Sequence, residues 1–155
     1  MNEITRSTAK VGDYPFTTLE PNLGEFFGFI IADIPGLIEG AAEGKGLGHK
    51  FLRHIKRTKA IAHLVSFEYE DPISEYEKIR KELEKYSPDL ASKDEIIVLS
   101  KTDLVSEDEV KKVQKQFEKY GKTIMSTSII DEDRIKEFTE FLVEYLKDKE
   151  EKESI

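Results

Sequence analysis

The 155-residue sequence contains no cysteine and no tryptophan. Without cysteine there is no disulfide framework, no thiolate metal site and no cysteine nucleophile. No apolar run approaches the roughly 20 residues that a membrane-crossing helix needs. The opening residues also lack the basic-then-apolar pattern of a secretory signal. The expectation is therefore a cytoplasmic protein with no membrane segment. Basic charge is scarce too: 24 Lys+Arg against 32 Asp+Glu leave a formal net charge of -8. That balance argues against non-specific nucleic-acid binding over the whole surface. One basic concentration stands out, from His49 and Lys50 through Arg53, His54, Lys56 and Arg57 to Lys59; a solvated helix face explains it equally well.

What is present is enough for a core. Hydrophobic residues make up 38% and aromatic residues 10%, and the length fits one domain. No internal repeat or linker composition divides it. The reading places a domain over 1–150 and a charged tail over 151–155, with fraying from Lys147 onward.

Along the chain, the first 24 residues read as loop, with 2–7 fitting the end of a helix. The run from Phe26 to Asp33 reads as one buried strand, its phenylalanines as core or edge residues. The segment Gly36 to Gly48 carries five glycines and reads as a mobile loop. Ala60 to Phe67 reads as a second buried strand, with His63 a core or edge histidine. Asp71-Pro72 is a helix start, followed by the stripe Ile73, Tyr76, Ile79, Leu83 and Tyr86. Glu95 to Leu99 reads as a third strand. Ser106 with Glu109 forms a capping box ahead of Val110, Val113, Phe117 and Tyr120. Thr123 to Met125 is a short strand, and Ile135, Phe138, Leu142 and Tyr145 line a last helix. The acidic residues Glu68, Glu70, Glu75, Glu77, Glu82 and Glu84 read as solvated faces. Strands alternating with amphipathic helices predict an α/β domain with a mostly parallel sheet and right-handed crossovers. In such sheets ligands bind at the carboxyl ends of the strands.

Two strand ends carry chemistry. Asp33-Ile34-Pro35-Gly36 offers a carboxylate able to hold a divalent cation and a glycine that lets a backbone N–H approach a phosphate. Ser100-Lys101-Thr102-Asp103 offers a carboxylate able to accept two hydrogen bonds from guanine, with the lysine stem as an apolar cover. Alone, a plain turn or a helix cap accounts for either. Together, separated by one strand–helix–strand unit and preceded by Thr17-Thr18, they follow the order found in GTPases. A loop threonine is a switchable Mg²⁺ ligand.

The stretch Gly12-Asp13-Tyr14-Pro15-Phe16-Thr17-Thr18-Leu19-Glu20-Pro21-Asn22-Leu23-Gly24 resembles the first switch region of the Obg family of GTPases. The stretch from Ala32-Asp33-Ile34-Pro35-Gly36-Leu37 through Gly48 resembles that family's second switch, which Phe51-Leu52-Arg53-His54-Ile55 continues. Tyr86-Ser87-Pro88-Asp89-Leu90 is also similar. The resemblance implies a P-loop NTPase-like (Ras-like) three-layer domain that binds GTP or GDP with Mg²⁺. By that resemblance Thr18 ligates Mg²⁺, with Thr17 beside it among the nucleotide-binding residues. Asp33 holds the ion through water, Gly36 touches the γ-phosphate, and Lys101 and Asp103 read guanine. It also implies the large ribosomal subunit as a partner. Leu37, where many GTPases have the glutamine that orients the attacking water, predicts slow intrinsic hydrolysis.

Three departures qualify the resemblance. No G-x-x-x-x-G-K-[ST] phosphate loop is present; Gly40 to Gly46 only imitates one, with its spacing one residue short. The expectation is a domain shortened at its amino end, lacking the first strand and phosphate loop, that by itself binds GTP weakly and hydrolyses none usefully. Its exposed strand edges would then pair with each other or with another chain, making self-association, low stability or a rearranged sheet the expected result. Ser100 stands where guanine-reading motifs have asparagine. Finally, the best match to the motif that backs the guanine is Ser128-Ile129-Ile130, where Ile129 offers its backbone N–H while its side chain crowds the site. The competing reading is an interaction module that keeps the switch surface without cycling nucleotide.

Overall fold

The computed structural model describes residues 23–32 and 58–153. In chain order these form β1 (Leu23–Phe26), β2 (Phe29–Ala32), β3 (Ala60–Ser66), α1 (Pro72–Tyr86), the short α2 (Pro88–Ala91), β4 (Asp94–Ser100), α3 (Glu107–Phe117), β5 (Thr123–Ser126) and α4 (Glu132–Glu153). Short 3₁₀ turns at Thr102–Leu104 and Glu118–Tyr120 flank α3.

Strands β3, β4 and β5 form a parallel sheet in that order. Its centre is β4, where Ile96, Ile97, Val98 and Leu99 are all buried. A central parallel strand is covered on both faces, so a continuous apolar run is what it requires. On one face Val65, Phe67, Ile97 and Leu99 pack with Tyr76 of α1 and with Val110, Val113 and Phe117 of α3. On the other, Ile96 and Val98 meet Phe138 and Leu142 of α4 and Phe26 of β1. Helices on both faces make three layers, an α/β architecture consistent with a P-loop GTPase domain. Full burial of a side chain such as Phe117 or Leu99 contributes about 1.5–3 kcal/mol.

The helix starts are chemically explicit. Asp71 caps α1 by accepting from the Ser74 N–H at 3.1 Å, with Pro72 in the first turn. Ser106 caps α3 by accepting from the Glu109 N–H at 3.3 Å. Only that half of the capping box forms, because the Glu109 carboxylate turns to Lys112 at 3.2 Å.

Three expectations need correction. The run from Phe26 to Ala32 is not one strand but the closing half of an antiparallel hairpin, with Phe26 opposite Phe29. Phe27 and Gly28 have φ of 48° and 87°, as a two-residue primed turn requires. Left-handed backbone costs a phenylalanine about 1–2 kcal/mol. The edge-to-face contact of Phe27 with Phe26, at 5.0 Å between ring centres, offsets part of that. Phe27 is consequently 66% exposed rather than a core residue. The second correction concerns β3, which alternates: Ile61, His63 and Val65 are buried, while Ala62 and Leu64 face solvent. It is the end strand of the sheet, and among the described residues it does not pair with β2. The third is the carboxyl end. Helix α4 continues to Glu153, past the Lys147 from which the sequence reading has it fray; along this stretch Lys149 pairs with Asp94 and Glu150 lies 3.8 Å from Lys59.

At the end of the sheet where β4 begins lies a buried charge. Glu95 accepts from Tyr76 Oη at 3.2 Å and lies 3.1 Å from His63 Nδ1 and 3.4 Å from Arg80 Nη1. Arg80 also donates to the Ala91 carbonyl at 3.1 Å. This knot joins α1, α2, β3 and β4. His63 is thus a buried structural histidine, in keeping with its sequence reading.

Candidate guanine-reading site

Because the sheet is parallel, β3, β4 and β5 end at the same rim, with Ser66 opposite Ser100 and Leu99 opposite Ser126. The segments leaving β4 and β5 are stitched together there. The Thr127 N–H donates to the Leu99 carbonyl at 2.8 Å, prolonging the ladder past the strand. The buried Thr102 hydroxyl donates to the Thr127 carbonyl at 3.3 Å. The Phe67 N–H donates to the Ser100 carbonyl at 3.1 Å, and the Ser100 hydroxyl donates to the Val65 carbonyl at 3.3 Å. Ser100 therefore ties the rim of β4 to β3.

Lys101 lies in the left-handed region, with φ 57° and ψ 43°. Non-glycine residues held there carry strain that gathers at functional sites. The turn is closed by the Leu104 N–H on the Lys101 carbonyl at 3.1 Å. The Lys101 ammonium sits 2.5 Å from Glu68 Oε2. That hydrogen bond holds the exposed Glu68 carboxyl below the usual carboxylate range, although a pair so open to water adds little stability.

Asp103 and Ser128 meet. The Ser128 hydroxyl, on a residue 1% exposed, donates to Asp103 Oδ1. Among the described residues Asp103 Oδ2 has no partner, and the Ile129 N–H donates to none. The Ile129 side chain is 67% exposed. Ser128 is itself held, its hydroxyl accepting from the Ile130 N–H at 3.4 Å and its carbonyl from the Asp131 N–H at 3.3 Å. Tyr69, Leu104 and Ile130 are large exposed apolar side chains on the same loops. The rim thus presents a carboxylate oxygen, a free N–H, a lysine stem and apolar surface. Those are the groups that a flat base with adjacent donors and a carbonyl would need.

A family model described as a 50S ribosome-binding GTPase matches residues 1–101. A GTPase Obg of Persephonella marina is 43% identical over 161 residues, covering 98% of this chain and 47% of the relative. The chain belongs to the Obg family of GTPases. A GTPase Obg of Thermosipho africanus is 44% identical over 156 residues (96% of this chain, 36% of the relative). GTPase Obg 2 of Anaplasma marginale is 47% identical over 137 residues (85% and 42%). The Obg-family chain spans less than half the length of these curated relatives.

The structure brings together Ser100, Lys101, Asp103, Ser128 and Ile129. Thr17, Thr18, Asp33, Gly36 and Leu37 lie outside the described residues. No cluster of three or more His, Cys, Asp or Glu suited to a metal exists among the described residues, and no helix there is long and apolar enough to cross a membrane. The sequence reading gives Glu68, Thr102 and Arg134 no role at this rim. Glu68 is read from it as a solvated acidic residue. The signal for it is its place two residues past a strand that is paired in register with β4.

Proposed function

We propose that this chain supplies the guanine-reading and switch portion of an Obg-type GTPase, whose reaction is hydrolysis of GTP to GDP and phosphate. The observation carrying the proposal is the hydrogen bond from Ser128 to Asp103. It joins two motifs, distant in sequence, that a guanine site requires side by side. In this reading Asp103 Oδ2 accepts from guanine, the Ile129 N–H faces the base carbonyl, and the Lys101 stem covers the ring. Ser100 steadies the loop from behind in place of the longer amide. Thr18 and Asp33 would hold Mg²⁺, the latter through water, and Gly36 would offer its N–H to the γ-phosphate with Thr17 alongside. The ion would supply neutralisation of phosphate charge. Leu37 cannot polarise water, so hydrolysis depends on other groups or a partner. The large ribosomal subunit fits as that partner on the strength of the family's description, and a cytoplasmic protein is the reading that goes with it.

These 155 residues carry no G-x-x-x-x-G-K-[ST] run, so the polypeptide alone should recognise the base better than the triphosphate. Titration of the isotope-labelled chain with GMP and AMP tests this. GMP should shift the backbone signals of Lys101 to Asp103 and of Ser128 and Ile129, and AMP should not. Identical responses to the two would refute guanine reading. Micromolar affinity for labelled GTP would refute the predicted weakness toward the triphosphate.

A further inference from the structure

Behind the Asp103–Ser128 contact stands one guanidinium. Arg134 lies in the first turn of α4, where the helix dipole disfavours a cation. It is held there by three partners on three elements. Its Nη2 donates to both Glu107 carboxylate oxygens at 2.6 and 2.5 Å. Its Nη1 donates to Ser126 Oγ at 3.3 Å, and its Nε lies 3.3 Å from Asp131 Oδ2. Glu107 opens α3 directly beyond the Ser100–Val105 segment, and Ser126 closes β5. Asp131 caps α4, its Oδ1 accepting from the Arg134 N–H at 3.1 Å. The loop carrying Ser128 and Ile129 therefore runs between two residues gripped by Arg134, and the loop carrying Asp103 exits beside a third. Only a planar fork of donors reaches all three at once.

We propose that Arg134 is a positioning residue for base recognition: by bracing Glu107, Ser126 and Asp131 it holds the Ser128 loop against Asp103. This rests on the guanine reading above. Arg134 touches no part of the base; it acts through Ser128, which fixes one oxygen of Asp103 and leaves the other for the ligand.

The test uses three variants of the 155-residue chain: Arg134→Met, Arg134→Lys and Glu107→Gln. The last strips the charge and one acceptor oxygen from one arm of the brace at an exposed position. Hydrogen exchange is followed at the Ile130 and Asp131 N–H groups, which bond to Ser128, and at Val98 in the sheet centre as a control. Arg134→Met should speed exchange at Ile130 and Asp131 about tenfold, the scale of losing a hydrogen bond to a charged group. Val98 should stay within about twofold, as expected of local opening. The preference for GMP over AMP should fall by a similar factor. Arg134→Lys and Glu107→Gln should give smaller changes in the same direction. Uniform acceleration, Val98 included, would make Arg134 merely structural and overturn the proposal. So would unchanged exchange and preference in variants of a chain that itself discriminates GMP. A wild-type chain that does not discriminate GMP from AMP sinks the guanine reading first and the base-reading role of Arg134 with it, whatever the exchange data show.

Discussion

Ser128 holds Asp103 by one carboxylate oxygen, Oδ1, so the geometry of the rim is set by a single hydroxyl. Lys101 and Asp103 are legible because their types and spacing match a chemical task. Ser128 is legible only through its likeness to a backing motif, and Arg134 not at all, since nothing in its neighbours foretells Glu107 across the loops. The side chain of Ile129, which the sequence reading has crowding the base, is exposed at the rim. Asp103 gives a direct prediction. Guanine offers two adjacent donors to an acceptor-only carboxylate, whereas xanthine carries a carbonyl in place of the exocyclic amine. Asp103→Asn swaps one acceptor for a donor. GMP binding should fall about tenfold or more, and XMP binding should rise above that of the wild-type chain. Parallel titrations of both proteins with both nucleotides measure it; equal losses for GMP and XMP would remove Asp103 from base reading.

Elements were read from period and punctuation, and the reading succeeds where those signals are local. Asp71-Pro72 and Ser106 mark helix starts because a short polar side chain satisfies otherwise unbonded N–H groups. The continuous apolar run in β4 marks a strand buried on both faces. The hairpin escaped because Phe-Gly is an unusual pair for a primed turn, and an unbroken apolar run hides a reversal made by two φ angles. The half-exposed character of β3 escaped for another reason: Ala62 and Leu64 are as apolar as their buried neighbours. Only the tertiary structure shows which face is covered. The cap of α3 can be tested alone. Ser106→Ala removes the acceptor for the Glu109 N–H, leaving core residues untouched. It should lower unfolding free energy by about 1 kcal/mol with an unchanged urea m-value, and Ser106→Asp should keep most of the stability. A loss near zero for alanine would mean that the first turn of α3 is satisfied by water.

For the molecule as a whole, the apolar layers were foreseeable from periodicity, but the charge buried beneath them was not. Glu95 sits one residue inside β4, where its sequence reads simply as the start of a strand. Burial pushes its carboxyl upward, yet the His63 hydrogen bond, the Arg80 and His63 charges and the Tyr76 hydroxyl outweigh burial. The result is a carboxyl below the usual range. The same contact works in reverse on Tyr76, whose hydroxyl is pushed well up by burial and then by the Glu95 charge. A carboxyl whose folded pKa lies below its unfolded value favours folding above the unfolded pKa, about 4.3 for glutamate. That contribution is lost as pH falls through the folded value. Acid should therefore weaken the junction of α1, α2, β3 and β4 as pH falls below the unfolded value and through the lowered folded one. Glu95→Gln leaves Arg80 with only the exposed Glu84, 3.5 Å away, as counter-charge, and removing one partner of a buried pair costs about 3–5 kcal/mol. At pH 7 the variant should be less stable by roughly the lower figure. The gap between the proteins should narrow on acidification, because only the wild-type chain has this carboxylate to protonate. Urea unfolding at pH 7, 5 and 3 measures both slopes; a constant gap would show that the Glu95 carboxyl titrates alike in the folded and unfolded chain, and a gap that widened in acid would show it neutral in the fold.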